Sequence, residues 1–313
     1  MSTPLPQLEA DVFLADGGIE TTLIFEDGID LPEFAAFPLL DDPEGRAALV
    51  RYFDRYAALA VDEGVGIVLE TPTWRASADW GARLGFTVED LERLNREAVA
   101  LVRDAERRFA DPTTPIVVSG CIGPRGDGYE PGELMSADEA RRFHGLQARA
   151  FAAAGVDLVT AITMTNVPEA QGVIEAARTV GLPVAISLTV ETDGTLPMGE
   201  GLGEAIETLD AATGAYAAYY MVNCAHPDHF SSVLDPAQAW TRRIGGIRAN
   251  ASRMSHEELD NAEDLDRGDP AELGLLYREL RAVHPHIKVL GGCCGTDHTH
   301  IAAISAATVG TAA

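Results

Sequence analysis

Basic residues are scarce: 23 Lys and Arg stand against 49 Asp and Glu among 313 residues, a formal net charge of −26. A surface of that sign repels phosphate backbones and anionic headgroups, which sets nucleic acid and membrane surfaces aside as partners. Long apolar runs are lacking as well. None approaches the ~18 residues of a membrane span, and the Ala-rich stretch from Ile301 is too short. The opening residues MSTPLPQLEA contain no basic segment followed by an apolar one, so no secretory leader is expected. Cysteine is rare. Four residues are too few for a disulfide scaffold, and two of them are adjacent, which suits a metal better than a disulfide. A reducing cytoplasm is the expected compartment. The DGGIETT that follows the first apolar run is not GxGxxG, so the dinucleotide fingerprint is missing.

With 46% hydrophobic and 23% charged residues, the chain carries enough apolar surface for a large core and is not a disordered composition. Eight short apolar or β-branched runs, at residues 12–15, 67–70, 116–119, 158–162, 184–188, 219–222, 244–249 and 287–290, are bounded by Gly, Pro, Asp or Asn and read as buried parallel strands. Helical patterns alternate with them at residues 47–62, 88–109, 137–154, 168–179, 202–212, 235–242, 270–283 and 299–307. Ser136 with Glu139 three residues on forms a capping box. Eight strand–helix repeats without a long linker predict an α/β chain folded as one domain over residues 1–313, a closed (β/α)8 TIM barrel. An open doubly wound sheet is the alternative, but it normally uses fewer strands. Connections 25–44, 120–136 and 248–269 are long and follow strand C-termini, the barrel face on which loops carry function. Barrels often pair, so a homo-oligomer is compatible with this reading.

Chemistry concentrates at two of those strand ends. GGCCGT, residues 291–296, follows the eighth run, and its glycines permit a tight turn that lets Cys293 and Cys294 converge. VNCAHP, residues 222–227, follows the sixth and places Cys224 at the same end of the barrel. Three thiolates make three corners of a tetrahedron, and a catalytic zinc wants three protein ligands and one open position. Buried, inert cysteines are the competing reading. Cys121 reads as a free thiol after the third strand. His226, His229, His298 and His300 are rival ligands, but the plainer reading makes them exposed first-turn residues of helices. Trp74, Phe34, Phe37 and Tyr129 fall on or near the loops of the same face, where aromatic rings could meet an onium cation or simply pack. Arg75 could hold a donor carboxylate or lie on the surface.

Together these motifs resemble the homocysteine S-methyltransferase family, whose members include betaine–homocysteine methyltransferase and the homocysteine module of cobalamin-dependent methionine synthase. The matching segments are ADGGIETTL, LETPTWRAS, SGCIGPRGDGY, VNCAHP and GGCCGT, in the family's order over almost the whole chain. The resemblance implies Zn2+ held by Cys224, Cys293 and Cys294 as the catalytic centre, with the acceptor thiol as fourth ligand. It implies that Asp16 and Gly17 meet the acceptor's amino-acid end, with Thr71 beside them and Asn223 shaping the turn before the first ligand. The partners implied are a small thiol, homocysteine giving methionine, and a small onium donor such as S-methylmethionine, S-adenosylmethionine or betaine. The family's glutamate after the fourth strand is replaced here by Ile162, so one carboxylate for the acceptor ammonium is missing, and a selenol or another small thiol stays open. Methyl exchange with a separate corrinoid protein and a non-catalytic zinc- or metabolite-binding barrel are the alternatives. The chain ends soon after the eighth repeat, which favours a small-molecule donor over a built-in folate or cobalamin module.

Overall fold

The computed structural model describes residues 5–310 apart from 130, 131 and 263. Residues 130 and 131 belong to the long connection 120–136 and 263 to 248–269, so those parts of the expected loops lie outside the described residues.

Eight parallel strands close in sequence order: β1 (Phe13–Ala15), β2 (Gly66–Glu70), β3 (Ile116–Ile122), β4 (Leu158–Met164), β5 (Val184–Thr189), β6 (Tyr219–Asn223), β7 (Ile244–Ala249) and β8 (Val289–Gly292). Main-chain pairing of β1 with both β2 and β8 leaves no free edge. The barrel is the (β/α)8 arrangement read from the sequence. Its outer face is apolar because Ile67, Leu69, Val118, Val159, Ile186 and Val222 point out against the helices. Side chains alternate, so every second residue points inward. Phe13, Val68, Val117, Leu158, Tyr219, Met221 and Val289 fill the lower interior. One step toward the C-terminal end the inward positions turn polar: Glu70, Ser119, Thr160, Ser187, Asn223 and Arg248 are all buried. That change of chemistry within one barrel marks where structure ends and function begins.

Helices cover the barrel for local reasons visible in their ends. Val88–Arg108 opens with a Thr87/Asp90 capping box, has Glu89 in its first turn and Arg107 and Arg108 in its last, and buries Leu91, Leu94, Ala98, Leu101, Val102 and Ala105 at helical spacing. The Ser136/Glu139 box caps Ala137–Ala154 as expected. Pro43–Glu63 begins four residues before the expected start, because Asp42 accepts a hydrogen bond from Gly45 N at 2.6 Å and Pro43 sits in the first turn.

Three sequence expectations are corrected. No α-helix spans 235–242; the Asp235 carboxylate accepts from Ala237 N at 2.9 Å in a turn around Pro236, and only a 3-10 turn, Ala239–Arg243, follows. The sixth crossover instead holds a short helix, Pro227–Phe230. Strands β3 and β4 run beyond their expected ends, so Cys121 lies inside β3 and not after it. Two short helices, Ala78–Arg83 and His256–Asp260, were not anticipated. Among the described residues no helix is long and apolar enough to cross a membrane.

Candidate metal centre and substrate cavity

Cys224 follows β6 directly and adopts φ +52°, while Thr163 inside β4 adopts φ +65° at a register shift between β4 and β5. Left-handed backbone at a β-branched residue is costly and persists only where its surroundings enforce it. Asn223 does that. Its Oδ1 accepts from Thr163 N at 3.0 Å and from Ser187 Oγ at 2.6 Å, and its Nδ2 donates to Thr163 Oγ1 at 2.8 Å. The tight turn at 293–296 is completed by Gly295 at φ +77°, a conformation glycine adopts without strain. The Thr296 hydroxyl closes the turn by donating to Cys293 O at 2.7 Å.

These two turns bring Cys224, Cys293 and Cys294 together, with all three sulfurs within 4.8 Å of one another. Cys224 and Cys293 are joined as a disulfide, Cα atoms 5.4 Å apart, and Cys294 Sγ stands 3.7 Å from Cys224 Sγ. Each sulfur has a donor beside it. Thr163 Oγ1 is 3.9 Å from Cys224 Sγ, Asn223 Nδ2 is 3.7 Å from Cys293 Sγ, and Tyr129 Oη is 3.5 Å from Cys294 Sγ. Donors aimed at sulfur favour the thiolate over the thiol. Two bonds of about 2.3 Å from a tetrahedral zinc would set a pair of thiolates about 3.8 Å apart, and the 224–294 separation matches that edge. The donor set therefore fits zinc once the sulfurs are reduced, since the disulfide and the metal are alternative states of the same thiolates.

The histidines stand apart from this cluster. Buried His226, whose pKa burial lowers to about 4, accepts from Asp228 N and is not the exposed residue expected. His300 is also fully buried, bonded to Asp297 and to Arg267 O. His298 and His229 are half-buried, His298 beside Arg55 and His229 against Arg253 O. A second acidic group, Glu26 with Asp297 and His298, is already met by Arg55 and Arg267.

A cavity of about 330 Å³ opens on the three sulfurs. Asp16, Gly17 and Thr71 line it. Asp16 is buried and pairs with Arg248 Nη2 at 2.5 Å; burial raises its pKa, with Arg248 opposing. Arg248 feels burial first, but the charges of Asp16 and Glu70 outweigh it and hold the guanidinium charged. Gly17 cannot bear a side chain, because a Cβ there would lie 2.5 Å from Tyr56 Oη, and its carbonyl accepts from Tyr52 Oη at 2.9 Å. The Thr71 hydroxyl accepts from Cys121 N at 2.9 Å and meets Thr73 Oγ1 at 2.7 Å. Thr73 gives its own proton to Cys121 O, so Thr71's goes to Thr73, and Thr71 ties β2 to β3. Asn223 lies below the cavity among the supports of the sulfurs. Cys121 is a free, buried thiol whose pKa burial pushes well up, so it stays protonated and inert.

Of the aromatic candidates, Trp74, Phe34 and Tyr129 line the cavity, whereas Phe37 is fully buried against Phe86. Arg75 is not a surface residue: its guanidinium lies 3.6 Å from the Trp80 ring and 4.6 Å from that of Trp74, with Asp127 at 3.0 Å. Sequence reasoning missed Glu20, Glu70, Arg248, Thr163 and His256. His256 Nε2 reaches Cys224 O at 2.8 Å while its ring stacks on Tyr129 at 4.0 Å. The inward alternation of β2 and β7 could have exposed Glu70 and Arg248; nothing in the sequence marks the other three.

Comparison with known proteins gives one consistent answer. The family model described as homocysteine S-methyltransferase matches residues 13–308. Homocysteine S-methyltransferase 1 of Brassica oleracea var. italica is 27% identical over 93% of this chain and 92% of its own length. Betaine–homocysteine S-methyltransferase 1 of Rattus norvegicus is 26% identical over 94% of this chain and 72% of its own. In structure, the homocysteine methyltransferase MmuM of Escherichia coli superposes with a TM-score of 0.77 in its oxidized form and 0.74 in its metallated form, at 20% identity over 95% of this chain and 96% of that one.

Proposed function

The chain belongs to the homocysteine S-methyltransferase family, and from that premise we propose that it moves a methyl group from a small onium donor to homocysteine, giving methionine, at a zinc held by Cys224, Cys293 and Cys294. The observation that carries this reading is the convergence of three sulfurs, each with its own hydrogen-bond donor, at the floor of a closed-barrel cavity. Zinc bound there would supply the Lewis acidity that makes an alkyl thiol, ordinarily of pKa near 8.5, available as thiolate at neutral pH.

The remaining tasks belong to the chain. Thr163, Asn223 and Tyr129 share the charge on the sulfurs and fix their directions. Asp16, oriented by Arg248, and the open backbone at Gly17 receive the amino-acid end of the acceptor, with Thr71 holding the wall beside them. Ring faces of Trp74, Phe34 and Tyr129 offer an onium cation an attractive surface that asks for no N–H donor. A cavity near 330 Å³ lies at the small end of ligand sites, roughly 300–1,000 Å³, which suits an amino-acid-sized donor such as S-methylmethionine or betaine better than S-adenosylmethionine. Thiolate ligands need a reducing compartment, so the cytoplasm is the proposed setting. The reading treats residues 1–313 as a single catalytic barrel.

The test is a mass-spectrometric screen of reduced, zinc-loaded protein with homocysteine, selenol and other thiol acceptors against onium donors. Methionine formed from an onium donor alone supports the reading. Turnover only after adding a methylated corrinoid protein would replace the donor, and absence of any methyl thioether would overturn it.

A further inference from the structure

Among the described residues four carboxylates line the cavity, and two of them are held by arginines. Asp16 is paired with Arg248, and Asp127 with Arg75. Glu70 sits in the polar layer beneath, only 6% exposed, near Ser119 and Thr160, and its buried Oε2 has no hydrogen-bond partner among the described residues. The fourth is Glu20. It lines the cavity and is half-buried as a residue. Among the described residues it makes no ion pair, and its hydrogen bond is to its own backbone N–H. Arg75 and Arg248 are near enough to be felt but are engaged with their own acids. Burial still pushes its pKa up to about 7.

Glu20 also shares its cavity with the sulfurs. The turn that carries it is laced to the cysteine turn: Gly18 N donates to Thr296 O at 3.1 Å, and Gly295 N donates to Thr21 Oγ1 at 3.1 Å. A Cβ on Gly18 would lie 2.6 Å from Cys293 O, so the two turns are in contact. Ile162, which also lines the cavity from β4, offers no charge.

We infer that Glu20 is the specificity-determining residue for the acceptor, receiving the primary ammonium of an aminothiol whose sulfur is bound at Cys224, Cys293 and Cys294. A carboxylate rewards a cation that can donate N–H bonds. A quaternary or sulfonium centre has none to give and is served by the aromatic faces instead. The acceptor class is thereby narrowed to thiols or selenols with a free amine near the far end of a short chain. The inference rests on the acceptor half of the function proposed above.

Calorimetric titration of reduced, zinc-loaded protein tests it without needing turnover. Homocysteine and its desamino analogue 4-mercaptobutanoate are each titrated into the native protein and into Glu20→Gln, whose shape is unchanged. The native protein should bind homocysteine about 10- to 100-fold more tightly than the analogue, and the substitution should erase that preference while leaving zinc content unchanged. Should Glu20→Gln misfold, Glu20→Ala is titrated in its place, and the native comparison can by itself overturn the inference. Equal native affinity for the two thiols, or an equal loss for both in the variant, would each overturn the inference. Discrimination without methyl transfer would sink the proposed reaction and leave Glu20 standing; methyl transfer without discrimination would do the reverse.

Discussion

Replacement of Asn223 separates what the amide does for the fold from what it does for the sulfurs. In Asn223→Ala three hydrogen bonds of normal length disappear, to Thr163 N, Ser187 Oγ and Thr163 Oγ1. Each contributes about 1 kcal/mol net, and each buried partner left unsatisfied costs about 1–3 kcal/mol. Allowing for overlap, the reduced, metal-free variant should lose about 3–5 kcal/mol, among the larger effects of any single substitution. The positive φ of Thr163 would also lose its restraint. Asn223→Asp is the companion. It keeps both acceptor contacts, and the Thr163 hydroxyl can turn from Cys224 to donate, so what folding loses is mainly the several kcal/mol cost of burying a carboxylate. The N–H facing Cys293 Sγ, however, is replaced by a negative charge. Zinc affinity should then fall about 10- to 100-fold, the usual effect of losing a residue that orients a metal ligand. Urea unfolding measures the first quantity and a competitive chelator titration the second. If Asn223→Ala unfolds at the native midpoint, or Asn223→Asp holds zinc as tightly as the native chain, the assigned role is wrong.

Other substitutions probe the remaining parts. Cys294→Ala should keep the far-UV spectrum of the barrel yet lose zinc and methyl transfer together, and full activity in that variant would remove Cys294 from the metal site. Glu70 makes the metal-free protein sensitive to pH: burial raises its pKa from 4.5 to about 7, so the folded state binds more protons than the unfolded one between those values. Stability is complete below the unfolded pKa and is lost as pH rises through the folded one, by at most about 3 kcal/mol. The melting temperature should therefore fall from about pH 5 to pH 8, and Glu70→Gln should flatten that slope. Trp74→Leu keeps an apolar wall but removes the ring face, and should raise KM for the onium donor about 5- to 10-fold with acceptor affinity unchanged; an unaltered donor KM would make Trp74 a wall only.

Legibility in the sequence followed the physics of each feature. Strand–helix alternation was readable because buried parallel strands are short apolar runs and capped helices announce their ends, as at Ser136/Glu139. The three cysteines were readable because each lies directly after a strand, and barrel topology does the rest. The helix expected at 235–242 failed where local competition won: Pro236 and the Asp235 side chain favour a turn over a helix start. Strand β3 was cut short because its inward Cys121 faces a cavity and not a packed core, and β4 because it continues past Ile162 only through the left-handed Thr163 at a register shift. Glu20 resembles any charged residue in a helical first turn; only the approach of two loops from opposite ends of the chain brings it to the cavity that the sulfurs line. Likewise Thr163 looks like an ordinary strand threonine, and its turn toward Cys224 depends on a backbone conformation that β-branched residues normally avoid.

X-ray absorption on the reduced, zinc-loaded protein bears most directly on the claim that three cysteines hold a reactive metal with room for a thiol. Before substrate the account predicts three sulfur neighbours at about 2.3 Å and one lighter atom. After homocysteine is added, it predicts four sulfurs at that distance. A first shell dominated by nitrogen or oxygen, or one left unchanged by the thiol, would contradict it.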